Sequence, residues 1–289
     1  MNPKDFRSYI AFKHEGRKSN HTPEATVVIV TYGSGEALLE LLASLYRQTF
    51  SEFEIIVIDN GRTESYVTKR ILAEPHLYIK SRRNSLSFGR NIGTAFAHGD
   101  IIISLDDDCL AHKELVKAHV QSYADSSILA VRGKALPRSN SLFNHFQSHY
   151  DLGPATRPAV IGLEGNSSYR KKILEEIGGF NPDLFGSEGL ELSYRIVQRY
   201  NRPEGIIYNP RAIIYHDFAK GFFHYVKKCY RHPKMRDNLV KNYPHIFAFL
   251  KEYGPYQKIE KSFSSLSEKL AVRSVWLLGH IAELIGKYS

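Results

Sequence analysis

Three consecutive aspartates, Asp106, Asp107 and Asp108, follow the apolar run Ile101-Ile-Ile-Ser-Leu105. Adjacent carboxylates repel one another unless something cationic neutralises them. A hard divalent ion with oxygen ligands does this, and Mg2+ or Mn2+ would also bridge phosphates. The plainer alternative is a solvated acidic turn that caps the next helix. Other polar residues stand at comparable places. Thr31 and Tyr32 end the run that begins at Thr26, and Asp59 ends Glu54-Ile-Ile-Val-Ile58.

The elements that must position these residues are legible from periodicity. Residues 26–32 and 54–58 are continuous β-branched runs, as in strands buried on both faces. Leucines at 38, 41, 42 and 45 set a helical period over 36–48,. A helix at about 64–73, a strand at 77–80, a helix at 87–98 and a strand at 101–105 complete the first half. Such alternation predicts a parallel sheet with helices on both faces, whose ligands collect at the carboxyl ends of the strands. Thr31, Tyr32, Asp59 and the aspartate run all stand there. The second half predicts a helix at 111–123, a strand near 128–132 and a Pro-punctuated stretch over 137–160. A short helix after Arg170, a helix at 188–200 and two strand-like pieces ending at His216 follow. Residues 1–23 read as a loose arm, 24–216 as an α/β domain and 217–289 as a basic helical region.

The composition sets bounds on partners. The 289 residues include 39 Lys and Arg against 30 Asp and Glu, for a net charge of +9. Residues 217–289 hold 13 of the basic and 6 of the acidic residues, so most of the excess lies there. Phosphate-bearing or membrane-surface partners fit this charge. Cys109 and Cys229 suggest neither a zinc site nor a disulfide framework, which fits a reducing cytoplasm. The first 21 residues lack the apolar core of a signal peptide,. The longest apolar candidate, 275–285, falls short of a membrane span, so a soluble or peripheral protein is expected.

The ordered pieces together carry a resemblance. They are Val-Ile-Val-Thr-Tyr at 28–32, Leu45-Tyr-Arg-Gln48, Glu54 to Gly61, Gly89-Arg-Asn-Ile-Gly93 with Ala97-His-Gly99, and Leu105-Asp-Asp-Asp108. Next come Gly165-Asn166, Gly178-Gly-Phe180, Gly186-Ser-Glu188, Glu191-Leu192 with Arg195, and Pro210-Arg-Ala212 before His216. Over about residues 25–216 the chain resembles the inverting GT-A-fold glycosyltransferases of family two.

That resemblance implies a mostly parallel mixed sheet with flanking helices, a nucleotide-sugar donor (typically a UDP-sugar) and Mn2+ or Mg2+. Thr31, Tyr32 and Asp59 would hold the nucleotide base, although Asp59 also suits a turn that bonds its own backbone. Arg90 and Asn91 would lie beside the nucleotide, or else form a polar helix face. Asp106 and Asp108 resemble the first and last residues of the family's DxD motif, and Asp107 between them would lie on the donor side with Asp106. Asp106 would meet the ribose or a metal-bound water, and Asp108 would coordinate the ion. His216 stands where many relatives place a further metal ligand, though a lone histidine is often an ordinary polar residue.

An inverting transfer needs a base for the acceptor's proton. The family's base is the aspartate of a Glu-Asp pair, but the aligned pair here is Glu188-Gly189. Glu188 is the nearest carboxylate and first choice, against a role as a helix cap. Glu191, one turn on, is the second, or it pairs with Arg195 and fixes the fold. Asp183 is a weaker reserve.

The tail interleaves Lys227, Lys228, Arg231, His232, Lys234 and Arg236 with Phe222, Phe223, Tyr225 and Tyr230. It could lie on an anionic membrane near a lipid-linked or other glycan acceptor, on the cytoplasmic face. It could equally close over a diphosphate, or be a solvated face. The stripe Leu266, Leu270, Leu277, Ile281 and Leu284 packs on its own domain or on a partner. A dehydrogenase and a Walker-type NTPase are disfavoured because neither glycine-rich signature follows the first strand. Nucleic acid is disfavoured because the charge sits in the tail and the main cleft is acidic. A non-catalytic nucleotide-sugar-binding or scaffolding module, which lost turnover with the missing aspartate, is the rival from another class.

Overall fold

Ten strands form one mixed sheet in a computed structural model that describes residues 1–18, 22–33, 35–61, 71–72, 74–253 and 265–288. In chain order they are β1 (Ile10–Glu15), β2 (Ala25–Thr31), β3 (Phe53–Asp59), β4 (Leu77–Ser81), β5 (Ile101–Asp106), β6 (Leu110–Ala111), β7 (Ala130–Leu136), β8 (Arg157–Pro158), β9 (Asn166–Arg170) and β10 (Ile206–Tyr215). Their order is β1-β4-β3-β2-β5-β9-β7-β10-β6, with β8 also on β10. The pairs β4/β3, β3/β2, β2/β5 and β7/β10 are parallel. The chain walks outward from β2 to β4 and then returns to place β5 on the other side of β2. That reversal opens a crevice at the carboxyl ends of β2 and β5, where Val30 stands opposite Asp106,.

Helices cover both faces: α1 (Glu36–Leu45), α2 (Leu86–Phe96), α3 (Leu115–Ser122), α4 (Lys171–Glu176) and α5 (Glu188–Tyr200). Val27 and Ile29 point into a core with Leu38, Leu41, Leu45 and Leu115, while Val28 and Val30 join Phe88, Ile92, Leu192 and Ile196. Every residue of β2 is buried, which is why its sequence does not alternate,. Helix α2 lies very close to the sheet. A Cβ at position 93 would sit 2.3 Å from Val28 Cγ1, so only glycine fits.

Three expectations change. Residues 1–23 are not simply loose: Pro3–Tyr9 is a 3-10 helix, and β1 pairs antiparallel with β4 at the sheet edge. The helix expected from 111 starts at Leu115, because Leu110 and Ala111 pair with Tyr215 and Ile214. The two strand pieces before His216 are one strand with a register shift between Tyr208 and Ile213. The helix expected at 64–73 falls mostly outside the described residues.

Beyond the sheet come α6 (Phe222–Asn242), α7 (Ile246–Tyr253) and α8 (Leu266–Tyr288). Gly279 and Gly286 let α8 approach α6 closely, since a Cβ at either would strike Tyr225 or the Tyr230 carbonyl. The buried residues of α8 are Val272, Gly279, Ala282 and Gly286. The apolar stripe faces the other way, with Leu266, Leu270, Leu277, Ile281 and Leu284 each 45–73% exposed. No helix among the described residues is long and apolar enough to cross a membrane.

Candidate active site

The aspartate run leaves β5 at the crevice, and each of its outer members has a cationic partner. Arg90 Nη2, on α2, lies 3.3 Å from Asp106 Oδ1. The Arg90 side chain is 3% exposed, and its Nη1 has no hydrogen-bond partner among the described residues. A charged nitrogen left so is costly unless a ligand group meets it. Asp106 packs on Gly165, where a Cβ would fall 2.0 Å from its Oδ2. Asp108 meets His216 Nε2 at 3.3 Å and Lys220 Nζ at 3.1 Å. Burial would raise the Asp108 pKa, but those two partners hold it well below the usual carboxylate range. Burial and the three aspartates push the Cys109 thiol well up, so it stays protonated. Among the described residues, no three His, Cys, Asp or Glu side chains converge as a ready-made metal cluster.

The residues expected at the nucleotide divide into two groups. Tyr32 is 49% exposed, and Arg90, Glu188 and Asp107 lie within electrostatic reach of its hydroxyl. Thr31 is buried and its hydroxyl accepts the Gly33 N–H at 3.0 Å. Asp59 is bonded on both oxygens. Oδ1 accepts the Gly61 N–H at 2.7 Å, and Oδ2 accepts Tyr78 Oη at 2.5 Å and Lys80 Nζ at 2.8 Å. Its side chain is 2% exposed, so the turn-forming task is visible and base contact would use a narrow edge. Asn91 also points inward. Its Nδ2 donates to the Phe180 carbonyl and its Oδ1 accepts the Phe180 N–H, both at 2.8 Å. The amide is thereby spent on tying α2 to the Gly178–Phe180 turn, rather than facing the crevice.

Helix α5 brings up the second set of carboxylates. The chain enters it through Gly186 at φ +85° and Ser187 at φ 63°, a left-handed pair that only a sharp turn requires,. Glu188 follows, 5% exposed, with Oε1 accepting the Gly186 N–H at 3.0 Å. Glu191 is 0% exposed and holds Arg195 through 2.5 and 2.8 Å contacts. Arg195 also donates to the carbonyls of Ile177 and Gly179, both at 2.6 Å. The ion-pair alternative for Glu191 is visible: its carboxylate is buried against the Arg195 guanidinium. Asp183 meets Arg83 at the surface, 84% exposed.

One acidic residue here was not singled out from the sequence. Glu164 accepts the Gly189 N–H at 2.9 Å. Burial, then the nearby Glu188 carboxylate, pushes its pKa up, while Arg90 opposes the shift. The only sequence signal was indirect: a glycine where a side chain was expected leaves a space for another group.

The comparisons agree on the class of protein. Residues 26–181, more than half of the chain, match the family model for glycosyl transferase family 2. The uncharacterized glycosyltransferases YfnE and YwdF of Bacillus subtilis are each 30% identical, over 158 and 171 residues. The matches cover 53% and 55% of this chain but only 40% and 62% of those relatives. The O-antigen chain rhamnosyltransferase RfbN of Salmonella typhimurium is 26% identical, over 69% of this chain and 72% of its own. Among solved structures, a mannosyltransferase from Pyrobaculum calidifontis in complex with GDP-Man and Mn2+ superposes with a TM-score of 0.58 at 15% identity. That match covers 98% of this chain and 79% of the other. The shared fold is GT-A-like.

Proposed function

The chain belongs to glycosyltransferase family 2, and from that premise we propose that it moves a sugar from a nucleotide diphosphate to a hydroxyl acceptor with inversion. The observation that carries this reading is the meeting of Arg90–Asp106 with Asp108, His216 and Lys220 at the crevice between β2 and β5. Thr31, Tyr32 and an edge of Asp59 receive the base, for which uracil is proposed. The unsatisfied Arg90 Nη1 is a ready donor to the nucleotide, and Arg90 also orients Asp106 toward the ribose.

Asp108 and His216 fit Mn2+ or Mg2+, because such ions commonly take one or two protein ligands and complete their shell with phosphates and water. When bound, the ion supplies a Lewis acid for the departing diphosphate. Lys220 would release Asp108 to it and turn to the phosphate charge. Lys228 stands on the same side, its ammonium over the Phe218 ring at 4.1 Å. Burial lowers the Lys228 pKa while Asp108 and Asp106 oppose this, which places it within their field.

A glycan or lipid-linked acceptor is proposed, with α8 lying on an anionic membrane surface. The uncovered stripe of α8 and the basic residues of α6 support that placement,. Sedimentation with vesicles of neutral lipid, with and without anionic lipid, tests it: binding that needs the anionic lipid is expected, and none to either opposes it.

Gly189 favours one second reading, a module that binds the donor without turning it over. Release of nucleoside diphosphate from UDP-, GDP- and dTDP-linked sugars, with and without Mn2+, separates the two. Metal-dependent release is expected; saturable binding without release would favour the module. NMR of the product tests the inversion, for which a β-linkage from an α-linked donor is expected.

A further inference from the structure

Position 189 lacks a side chain where the resemblance puts the base, and the structure has filled the vacancy. A Cβ there would lie 2.7 Å from Glu164 Cγ, 2.7 Å from the Ile161 carbonyl and 2.8 Å from Ile161 Cγ2. Glu164 thus runs through the space where a residue-189 side chain would start, and its Oε1 is pinned by the Gly189 N–H at 2.9 Å. Its own backbone is rigidly held. The Asn166 N–H donates to the Leu163 carbonyl at 3.2 Å, and Ser167 Oγ donates to the Glu164 carbonyl at 3.0 Å. Asn166 is locked in turn by His119 and by the carbonyls of Lys134 and Ala212.

We propose that Glu164, and not Glu188, is the general base that takes the proton of the acceptor hydroxyl. This rests on the glycosyltransferase reading above. Glu188 is 5% exposed and closes its own turn onto Gly186, whereas Glu164 keeps partial exposure and is seated from outside the helix. In the transfer, the acceptor O–H bond breaks and its proton goes to the Glu164 carboxylate. The acceptor oxygen forms the new bond to the anomeric carbon. The bond from that carbon to the diphosphate oxygen breaks, and its electron pair leaves with the nucleoside diphosphate. Charged or titratable groups facing Glu164 are Glu188 on α5, Arg90 on α2, Arg132 on β7, Tyr169 on β9 and Tyr150. Burial and Glu188 both favour its protonated form, which makes it a stronger base than an exposed carboxylate,.

Glu164→Gln separates chemistry from structure, because its amide oxygen can still accept the Gly189 N–H. The full chain is assayed with the donor panel and Mn2+, with water as the acceptor, and nucleoside diphosphate affinity is measured beside it. Turnover should fall by about 100-fold or more while that affinity stays within about threefold. Turnover within about threefold of the parent would overturn the proposal. A second measurement does not depend on that variant folding. In Glu188→Gln, the acid limb of the pH–rate profile should move to lower pH, because a negative neighbour of Glu164 is gone. An unmoved limb would mean that the titrating base is not Glu164, and loss of turnover in Glu188→Gln to the level expected for Glu164→Gln would return the base to Glu188. If the parent chain binds nucleoside diphosphate yet turns over no donor, the transferase reading itself fails, and this assignment with it.

Discussion

The two acidic sides of the crevice are built on opposite electrostatic plans. At the end of β5, each outer aspartate has a cation on it, Arg90 on Asp106 and Lys220 on Asp108, with the His216 ring also against Asp108. At the start of α5, Glu164 and Glu188 face each other, and the bonds that hold them come from backbone N–H groups. The first plan keeps Asp108 ionised and prepared for positive partners. The second raises the proton affinity of Glu164. A site with one carboxylate group that must stay charged and another that must accept a proton needs this separation. Asn91 and the Arg195–Glu191 pair join the sides, because α2 grips Phe180 and α5 grips the Gly179 carbonyl.

Removing the cation-matched side should have the largest effect. Asp108→Ala is expected to cut donor turnover by about 100- to 1,000-fold, a scale typical of losing one preorganised electrostatic group. Initial rates with saturating Mn2+ check this; a loss under tenfold would break the contrast between the two sides.

The next effect is one of pH, on the turn that carries Glu164. Burial lowers the His119 pKa from 6.5 to about 4, so the folded chain holds it neutral while the unfolded chain protonates it. Its contribution is fully present above pH 6.5 and is lost as the pH falls toward 4. At about 1.4 kcal/mol per pH unit the whole interval is worth about 3 kcal/mol. Denaturant midpoints at pH 7 and pH 4.5 should therefore draw closer together in His119→Gln; an unchanged gap would mean His119 is not the acid-sensitive group.

Asn91→Ala should cost about 2–3 kcal/mol, since it orphans both polar groups of the Phe180 backbone. Chemical denaturation measures that cost, and kcat should fall more than donor affinity because the lost tie positions α5. Smallest of all, Leu277→Ser with Ile281→Ser should change stability by less than about 0.5 kcal/mol each, as both face outward,. A cost of 2 kcal/mol or more would mean the stripe is covered.

What could be read from the sequence follows from where the physical signal is local. Val27 to Val30 face two cores at once, so their unbroken β-branched run identifies β2 without help. The aspartate run lies directly beyond such a strand, and its place at the crevice follows from strand order alone. Ile10–Glu15 gave no such signal. It is an edge strand of mixed polarity whose partner residues on β4 lie 62 to 71 positions away. Asn91 and Asp59 have the right residue types for nucleotide contact, yet their hydrogen bonds run inward, to Phe180 and to Gly61, Tyr78 and Lys80. Residue type cannot distinguish those directions. Glu164 was invisible because its meaning depends on Gly189, twenty-five positions away and joined only by the fold.

The most direct test of the donor site is calorimetric titration of UDP into the full chain, with and without Mn2+, in the parent and in Asp108→Ala. Binding that strengthens at least tenfold with Mn2+, and loses that gain in Asp108→Ala, is the expected result. UDP affinity that is the same in all four experiments, or absent from all of them, would contradict a metal-assisted UDP site at the end of β5.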